Sequence, residues 1–253
     1  MKASVLSSGS GGNSTVIQSS GGSILIDAGL SAKRIVERLN AVGADISSIG
    51  ALVITHDHID HISGAGIIAR KLKIPVYIHK ENYMSSADKF DNCEVKFISD
   101  PFDAGCFRIT PVPVSHDGTA NYAYTVESEG KKISHITDIG VVTEIVRFRI
   151  LNSDLIILES NHDLEMLKNG PYPWFLKQRI SGNLGHLSNA SAGDLIKETY
   201  SQNLKYLVLA HLSKENNDPS LAYDEMVKVK ELNNFNFRLH VAKQDEVLEF
   251  IEI

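Results

Sequence analysis

The sequence predicts an α/β protein in which two β-sheets pack face to face and helices cover their outer faces. Three observations indicate this class. The 253 residues have an ordinary globular composition, with 43% hydrophobic and 22% charged residues. Strand-like runs dominate the first half and the middle of the chain, and strands alternate with helices afterwards. Because no low-complexity linker interrupts the chain, we expect residues 1–253 to form a single domain.

The first half begins with a predicted meander of short strands joined by glycine-rich turns. The predicted strands cover residues 3–7, 14–19, 23–27 and 51–55. An amphipathic helix is predicted over residues 31–42, with Ser31 as its N-cap, and a second helix over residues 62–72.

In the rest of the chain, the sequence pattern predicts further strands, which alternate with helices towards the C-terminus. The predicted strands cover residues 106–114, 121–127, 132–137, 154–159, 206–210, 237–241 and 246–253. Helices are predicted over residues 188–200 and 219–232, and the second begins with Asp218 as N-cap and Pro219 in its first turn.

Composition excludes several classes of function. The two cysteines, Cys93 and Cys106, form no C-x-x-C pair, which argues against a disulfide framework and a cysteine zinc site. A formal charge of −6 argues against a broad basic clamp on nucleic acid, although a local cationic site remains compatible with it. The chain starts without a signal-peptide pattern and contains no apolar run of membrane-spanning length, so we expect a cytoplasmic protein without membrane contact. The sequence indicates no oligomeric state.

The run T-H-D-H-I-D-H, residues 55–61, directly follows a predicted apolar strand. Residues two apart in an extended segment point the same way, so His56 and His58 can chelate one metal ion. Asp60 and His61, at the start of the next helix, can face a second ion. Asp57 would face away and is available to orient a ligand imidazole through its second nitrogen.

Three further candidate ligands occupy equivalent positions, each just after an apolar strand. They are His116, Asp138 and His211. Loops at strand ends commonly carry the chemistry of α/β folds, so we expect these side chains to converge on one rim of the sheets.

The pattern H-x-H-x-D-H, followed by His116, Asp138 and His211, resembles the metallo-β-lactamase fold. Within that superfamily the chain is similar to the YycJ (WalJ) group of phosphodiesterases. The runs that carry this second resemblance are G-S-G-G-N-S (9–14), T-H-D-H-I-D-H-I (55–62), E-S-N-H-D-L-E-M-L (159–167), Y-P (172–173) and G-H-L-S-N (185–189).

This resemblance implies a four-layer αββα sandwich with two divalent metal ions, Zn or Mn, in the cleft between the sheets. It implies that one ion is held by His56, His58 and His116, and the other by Asp60, His61 and His211. Asp138 would bridge both ions, and Asp27 would support the histidine loop without binding metal.

The activity that the resemblance implies is 5′-to-3′ exonuclease cleavage of DNA, with a possible role in DNA repair. A metal-bridging hydroxide would be the nucleophile, with Asp60 and Asp138 holding the ions. His186 lies outside the metal set, and we expect it to orient the scissile phosphate and to act as a general acid. The alternative for His186 is a loop histidine whose neighbour Ser188 caps the next helix.

Substrate contacts are the least determined part of the site. The segment 168–179 combines aromatic and basic residues, among them Trp174, Lys177 and Arg179. It can form a wall that binds single-stranded DNA, but a buried helix edge or a dimer contact explains the same residues. Asn161 and His162 can contact substrate, and His162 can equally order its own loop.

Two other functions remain open at this stage. One is a small-molecule hydrolase of cyclic phosphodiesters, thioesters or lactones, which a narrow, enclosed cleft beside His186 would favour. The other is a metal-loaded regulatory module without catalysis, which the complete ligand set makes the weaker alternative.

Overall fold

The computed structural model describes all residues from Met1 to Ile253, and its strands form two seven-stranded sheets. The strands are β1 Lys2–Ser7, β2 Ser14–Ser19, β3 Gly22–Ile26, β4 Ile49–Val53, β5 Val76–His79, β6 Val95–Ile98, β7 Phe102–Ala104, β8 Phe107–Pro113, β9 Tyr122–Ser128, β10 Lys131–Ile136, β11 Leu155–Glu159, β12 Tyr206–Ala210, β13 Arg238–Val241 and β14 Ile251–Glu252. The first sheet has the order β14-β1-β2-β3-β4-β5-β6. The second has the order β13-β12-β11-β10-β9-β8-β7.

Nine α-helices connect or flank the strands. They are α1 Ala32–Ala41, α2 Ile59–Ile62, α3 Ala65–Leu72, α4 Lys80–Ser86, α5 Glu144–Ile150, α6 Leu164–Asn169, α7 Trp174–Ser181, α8 Asn189–Thr199 and α9 Pro219–Leu232. Short 3₁₀ turns lie at Ile46–Ser48 and Ala87–Phe90. No helix has both the length and the apolar character needed to cross a membrane.

Three apolar layers hold the sheets and helices together. The central layer is buried between the sheets and takes side chains from both, for example Ile24 from β3 and Ile133 from β10. A second layer packs α1 and α3 on the first sheet, and a third packs α5, α8 and α9 on the second. The predicted αββα sandwich is therefore confirmed, while the single-domain organisation stays a prediction.

Strand direction explains why the predicted site residues lie at one edge of the sandwich. In the second sheet β10, β11 and β12 are mutually parallel, and β8 runs the same way because β9 is antiparallel to both β8 and β10. In the first sheet β3 and β4 are parallel. The loops that leave the carboxyl ends of the strands in each of these sets therefore lie at the same edge of their sheet.

Two sequence predictions about elements need correction. The predicted helix 62–72 begins only at Ala65, as α3, and a separate short helix, α2, ends at Ile62; between them lies Gly64, where a Cβ atom would be 2.0 Å from the carbonyl oxygen of Leu30. The predicted strand 246–253 pairs only at Ile251–Glu252, because Leu248 bonds irregularly to β1 through Ser4 and Val5. The predicted N-caps Ser31 and Asp218 are confirmed.

Candidate active site

His56, His58 and His116 form the first group of side chains that could together hold a metal ion. One nitrogen of each imidazole lies within 4.8 Å of the others. His56 and His58 belong to the loop between β4 and α2, and His116 follows β8. Nδ1 of His116 donates to the carbonyl oxygen of Gly185 at 3.0 Å, which leaves its Nε2 free to face the group.

Asp60, His61 and His211 form the second group. Asp60 and His61 lie in α2, and His211 follows β12. Nε2 of His61 and Nε2 of His211 lie 3.6 and 3.9 Å from Oδ2 of Asp60. The geometry thus brings together residues that are about 150 positions apart in sequence.

Asp138 lies between the two groups. Its Oδ2 is 3.3 Å from Nε2 of His61, and its Oδ1 is 3.5 Å from Nε2 of His211 and 3.7 Å from Nε2 of His116. Asp138 adopts a left-handed backbone conformation, with φ of 57°. Such a conformation in a non-glycine residue costs free energy and is typical of functional sites.

The donor atoms in these groups fit divalent metal ions. Nε2 of His56, Nε2 of His211 and Oδ2 of Asp138 are buried and have no hydrogen-bond partner in the protein. Buried polar atoms are almost always paired, because leaving one unpaired costs about 1–3 kcal/mol. Cations shared among these lone pairs would satisfy all three atoms, and imidazole with carboxylate suits Zn and Mn.

Asp27 supports the second group from behind. Its Oδ2 accepts from Nδ1 of His61 at 2.8 Å, and its Oδ1 accepts from the backbone N–H of Thr55 at 2.9 Å. Burial alone would lower the pKa of His61, but the carboxylates of Asp138, Asp27 and Asp60 outweigh it and raise that pKa to about 9. Asp27 therefore fixes the orientation of the His61 ring.

Glu159 is the principal residue that the sequence interpretation missed. The carboxylate is completely buried at the end of β11, and Oε1 accepts from Nδ1 of His186 at 2.7 Å and from Nδ1 of His211 at 3.0 Å. Burial alone would raise the pKa of Glu159, but the two imidazoles hold it far below its ordinary value. The signal that identified His116, Asp138 and His211, a polar residue ending an apolar strand, applies equally to Glu159.

His186 lies beside both groups without belonging to the predicted metal set. Its ring centre is 5.0 Å from that of His116 and 5.2 Å from that of His211. Because Nδ1 donates to Glu159, Nε2 is the nitrogen available for other contacts. Gly185 permits this placement, since a Cβ atom there would lie 2.1 Å from the carbonyl oxygen of Ile180.

Asp117 is a second residue that was missed, although it directly follows His116. Its Oδ1 lies 3.4 Å from Nε2 of His58 and 3.5 Å from Nε2 of His116, while its Oδ2 accepts from Nε and Nη2 of Arg179, both at 2.6 Å. Burial alone would raise the pKa of Asp117, but Arg179 and the imidazoles of His116 and His58 lower it. Asp117 thus links Arg179, a predicted substrate contact, to the histidines of the first group.

Comparison with known proteins agrees with this geometry. Residues 8–151 match the family described as "Metallo-beta-lactamase superfamily". The chain belongs to this superfamily. It is 36% identical over 233 residues to the exodeoxyribonuclease WalJ of Streptococcus pneumoniae serotype 2, covering 89% of this chain and 87% of the relative. It is 33% identical over 246 residues to the exodeoxyribonuclease YycJ of Bacillus anthracis, covering 94% and 93%.

These identities place the chain in the YycJ (WalJ) group of the metallo-β-lactamase superfamily, as its motifs predicted. Membership makes it a metal-dependent hydrolase. Among solved structures, the metallo-β-lactamase-fold protein YhfI from Bacillus subtilis superposes with a TM-score of 0.69 at 21% identity, covering 98% of this chain and 99% of that one. This likeness confirms the fold.

Three other predicted site residues, Asp57, Asn161 and His162, do not belong to the two ligand groups. Asp57 does not orient an imidazole, because its oxygens accept hydrogen bonds from Ser85 and Thr119 and so anchor the histidine loop. Nδ2 of Asn161 donates to the carbonyl oxygen of His211 at 2.8 Å, and Asn161 also lines the adjacent cavity. His162 is 1% exposed and forms a bridge to Ser188, which favours the loop-ordering alternative over substrate contact.

The aromatic and basic segment forms helix α7 at the surface. The helix contains no buried residue, and Trp174 and Phe175 are each 72% exposed. The alternative of a buried helix edge is therefore wrong, and a substrate wall or a contact between copies remains. Nζ of Lys177 donates to the carbonyl oxygen of Lys168 at 2.7 Å, which holds the start of this helix against the end of α6.

Proposed function

We propose that this protein is a metal-dependent phosphodiesterase that removes nucleotides from the 5′ end of DNA. The observation that carries the proposal is the position of His186, whose ring lies beside two candidate ligand groups joined by Asp138. Two relatives that are 33–36% identical over most of their length are named exodeoxyribonucleases, which supports DNA as the substrate. Trimming from a strand end is a reaction that DNA repair requires, and we propose that role in the cytoplasm.

The proposal assigns the ligand groups to two divalent ions, Zn or Mn. One ion would be held by His56, His58 and His116, the other by Asp60, His61 and His211, with Asp138 shared by both. When bound, the ions would supply an activated water as nucleophile and stabilise the negative charge that develops on the phosphate oxygens. The protein itself fixes the orientation of the ligand rings. Asp27 accepts a hydrogen bond from Nδ1 of His61, and Glu159 accepts one from Nδ1 of His211.

His186 would supply the proton that the leaving alkoxide needs. Its Nδ1–H is committed to Glu159, so Nε2 is the nitrogen that would carry the transferred proton. As the P–O bond breaks, Nε2 donates that proton to the leaving oxygen. General acid catalysis of this kind contributes about 10²- to 10⁴-fold in rate.

The test compares linear and circular DNA of one sequence, incubated with Mn²⁺ and the wild-type or His186→Ala protein. The proposal predicts mononucleotide release from linear DNA only, and a loss of about 10²-fold or more in His186→Ala at unchanged metal content. Cleavage of the circle would indicate an endonuclease. Normal turnover by His186→Ala would remove its role as the acid.

A second candidate is hydrolysis of small cyclic phosphodiesters. The observation that favours it is the size of the cavity beside His186, ≈ 200 Å³, which is below the range of about 300–1,000 Å³ typical of pockets for drug-sized ligands. Turnover of a cyclic nucleotide at a kcat/KM above that for linear DNA would favour this candidate. Turnover of linear DNA alone would exclude it.

A further inference from the structure

The cavity beside His186 has two chemically different parts. At one end it is bordered by His116, His186 and His211, which places that end at the proposed reaction centre. The rest of the wall comes mainly from α7 and the loops on either side of it, and the apolar and aromatic residues of the lining are Tyr172, Leu176, Ile180, Leu184 and Leu212. Ser10, from the glycine-rich turn between β1 and β2, and Ser213 also line it.

The wall is held in place by backbone hydrogen bonds. The N–H of His186 donates to the carbonyl oxygen of Ile180 at 2.8 Å, and the N–H of Gly185 donates to that of Gly182 at 2.9 Å. Oγ of Ser115 donates to the carbonyl oxygen of Asn183 at 2.6 Å, which attaches the loop to the end of β8. The cavity is therefore formed before any ligand enters it.

The size of the cavity limits what it can hold. A volume of ≈ 200 Å³ equals the share of about seven water molecules in the liquid, at about 30 Å³ each. One nucleobase fits such a space, whereas a stack of bases does not. The apolar side chains and the ring of Tyr172 suit a flat aromatic ligand, because bases stack on aromatic faces at about 1–3 kcal/mol each.

A positively charged side chain lies beside this apolar wall. Arg179 also lines the cavity, and its guanidinium is held by Asp117 through two N–H groups. A guanidinium fixed in this way matches the geometry of a phosphate group. The site thus offers an apolar slot for a base and a positioned cation for a phosphate, next to the histidines of the reaction centre.

We propose that this cavity is the subsite for the terminal nucleotide of the DNA strand, the one that the reaction releases. The inference rests on the proposed exonuclease function and goes further, because it explains why a strand end is required. A space of this size beside the reaction centre, with α7 along one side, suits the last base of a strand, which has a neighbouring base on one side only. Arg179 binds a phosphate of the same terminal nucleotide.

The proposed subsite is tested with a substitution that fills the cavity. Leu184→Trp adds a bulky ring to the wall at a position that is 55% exposed, so the substitution leaves folding intact. The matched control is Leu232→Trp, an 82% exposed leucine at the far end of the fourteen-residue helix α9. Binding of deoxyadenosine monophosphate to each Mn²⁺-loaded protein is measured by calorimetry. We expect at least tenfold weaker binding in Leu184→Trp and unchanged binding in Leu232→Trp.

A substrate without its terminal base provides the second measurement. For the wild-type protein, DNA with an abasic 5′-terminal residue should have a KM at least tenfold higher than intact DNA. For Leu184→Trp the two substrates should differ less than threefold, because the base no longer enters the cavity. Tyr172→Ala, with its folding checked by thermal melting, should reduce the difference in the same direction.

The outcomes separate the two proposals. If wild-type protein releases no nucleotide from DNA, the exonuclease function fails and the subsite fails with it. If wild-type protein and Leu184→Trp degrade intact and abasic-ended DNA with the same KM and bind the mononucleotide equally well, the exonuclease function stands and the subsite is wrong.

Discussion

Glu159→Gln, compared with Asp27→Asn, should separate the role of His186 from the role of the proposed metal ligands. Glu159 accepts hydrogen bonds from Nδ1 of both His186 and His211, at 2.7 and 3.0 Å. Glutamine keeps the size of the side chain but removes its charge, so neither imidazole keeps an anionic partner. The substitution therefore acts on the proposed proton donor, His186, and on one proposed metal ligand, His211, at the same time.

The two contacts that are lost determine the expected size of the effect. Loss of the partner that orients a metal-binding imidazole lowers metal affinity by about 10- to 100-fold. His186 loses a hydrogen bond to a charged group, worth about 1.5–3 kcal/mol, which corresponds to about 10- to 160-fold in turnover through the general acid alone. At saturating metal we therefore expect kcat to stay at least tenfold below that of the wild-type protein.

Asp27→Asn is the matched control, because Asp27 contacts His61 and not His186. It should weaken metal binding to a similar extent, and its kcat should recover at high metal concentration. The assay is turnover of a linear DNA across a Mn²⁺ titration, with affinity measured by calorimetry. If Glu159→Gln also recovers full kcat at saturating metal, Glu159 serves only the metal site, and its proposed support of His186 as the general acid is refuted.

Three further predictions use other parts of the molecule. Trp174→Ala should raise the KM for single-stranded DNA several-fold, because one base–aromatic stack is worth about 1–3 kcal/mol, and should leave the melting temperature unchanged; an unchanged KM would favour a contact between copies. His58→Ala should bind fewer metal ions per chain by elemental analysis and lose DNA turnover, whereas wild-type stoichiometry would contradict its assignment. Burial lowers the pKa of His135 to about 4, so only the unfolded chain takes up its proton near pH 6.5. The contribution of neutral His135 to the free energy of unfolding should therefore be complete above that pH and should decrease by up to about 3 kcal/mol towards pH 4. Urea titrations of the metal-free wild-type protein measure this change, with metal-free His135→Gln as the reference.

Strand ends made much of the candidate site predictable. His116, Asp138 and His211 follow β8, β10 and β12, three strands that run in one direction, so their side chains meet at one edge. The histidine loop was equally clear, because three imidazoles and two carboxylates in seven residues have few structural explanations. Local capping patterns such as Ser31 were also sufficient to locate helix starts.

Long-range partners were not predictable from local patterns. Glu159 meets His211 across 52 positions, and Asp57 meets Thr119 across 62, so spacing gives no sign of either pair. The exposure of Trp174 was also undetermined, because an aromatic residue in a helix can face the core or the solvent. Gly64, which separates α2 from α3, became interpretable only with Leu30 packed against it.

The most direct test of the central claim is a time course of products from a 5′-phosphorylated, internally labelled DNA strand with Mn²⁺. His58→Ala serves as the control for metal dependence. The account predicts stepwise release of mononucleotides from the 5′ end by the wild-type protein and none by the control. Intact DNA in the presence of a verified two-metal site would contradict it and would direct attention to small cyclic phosphodiesters.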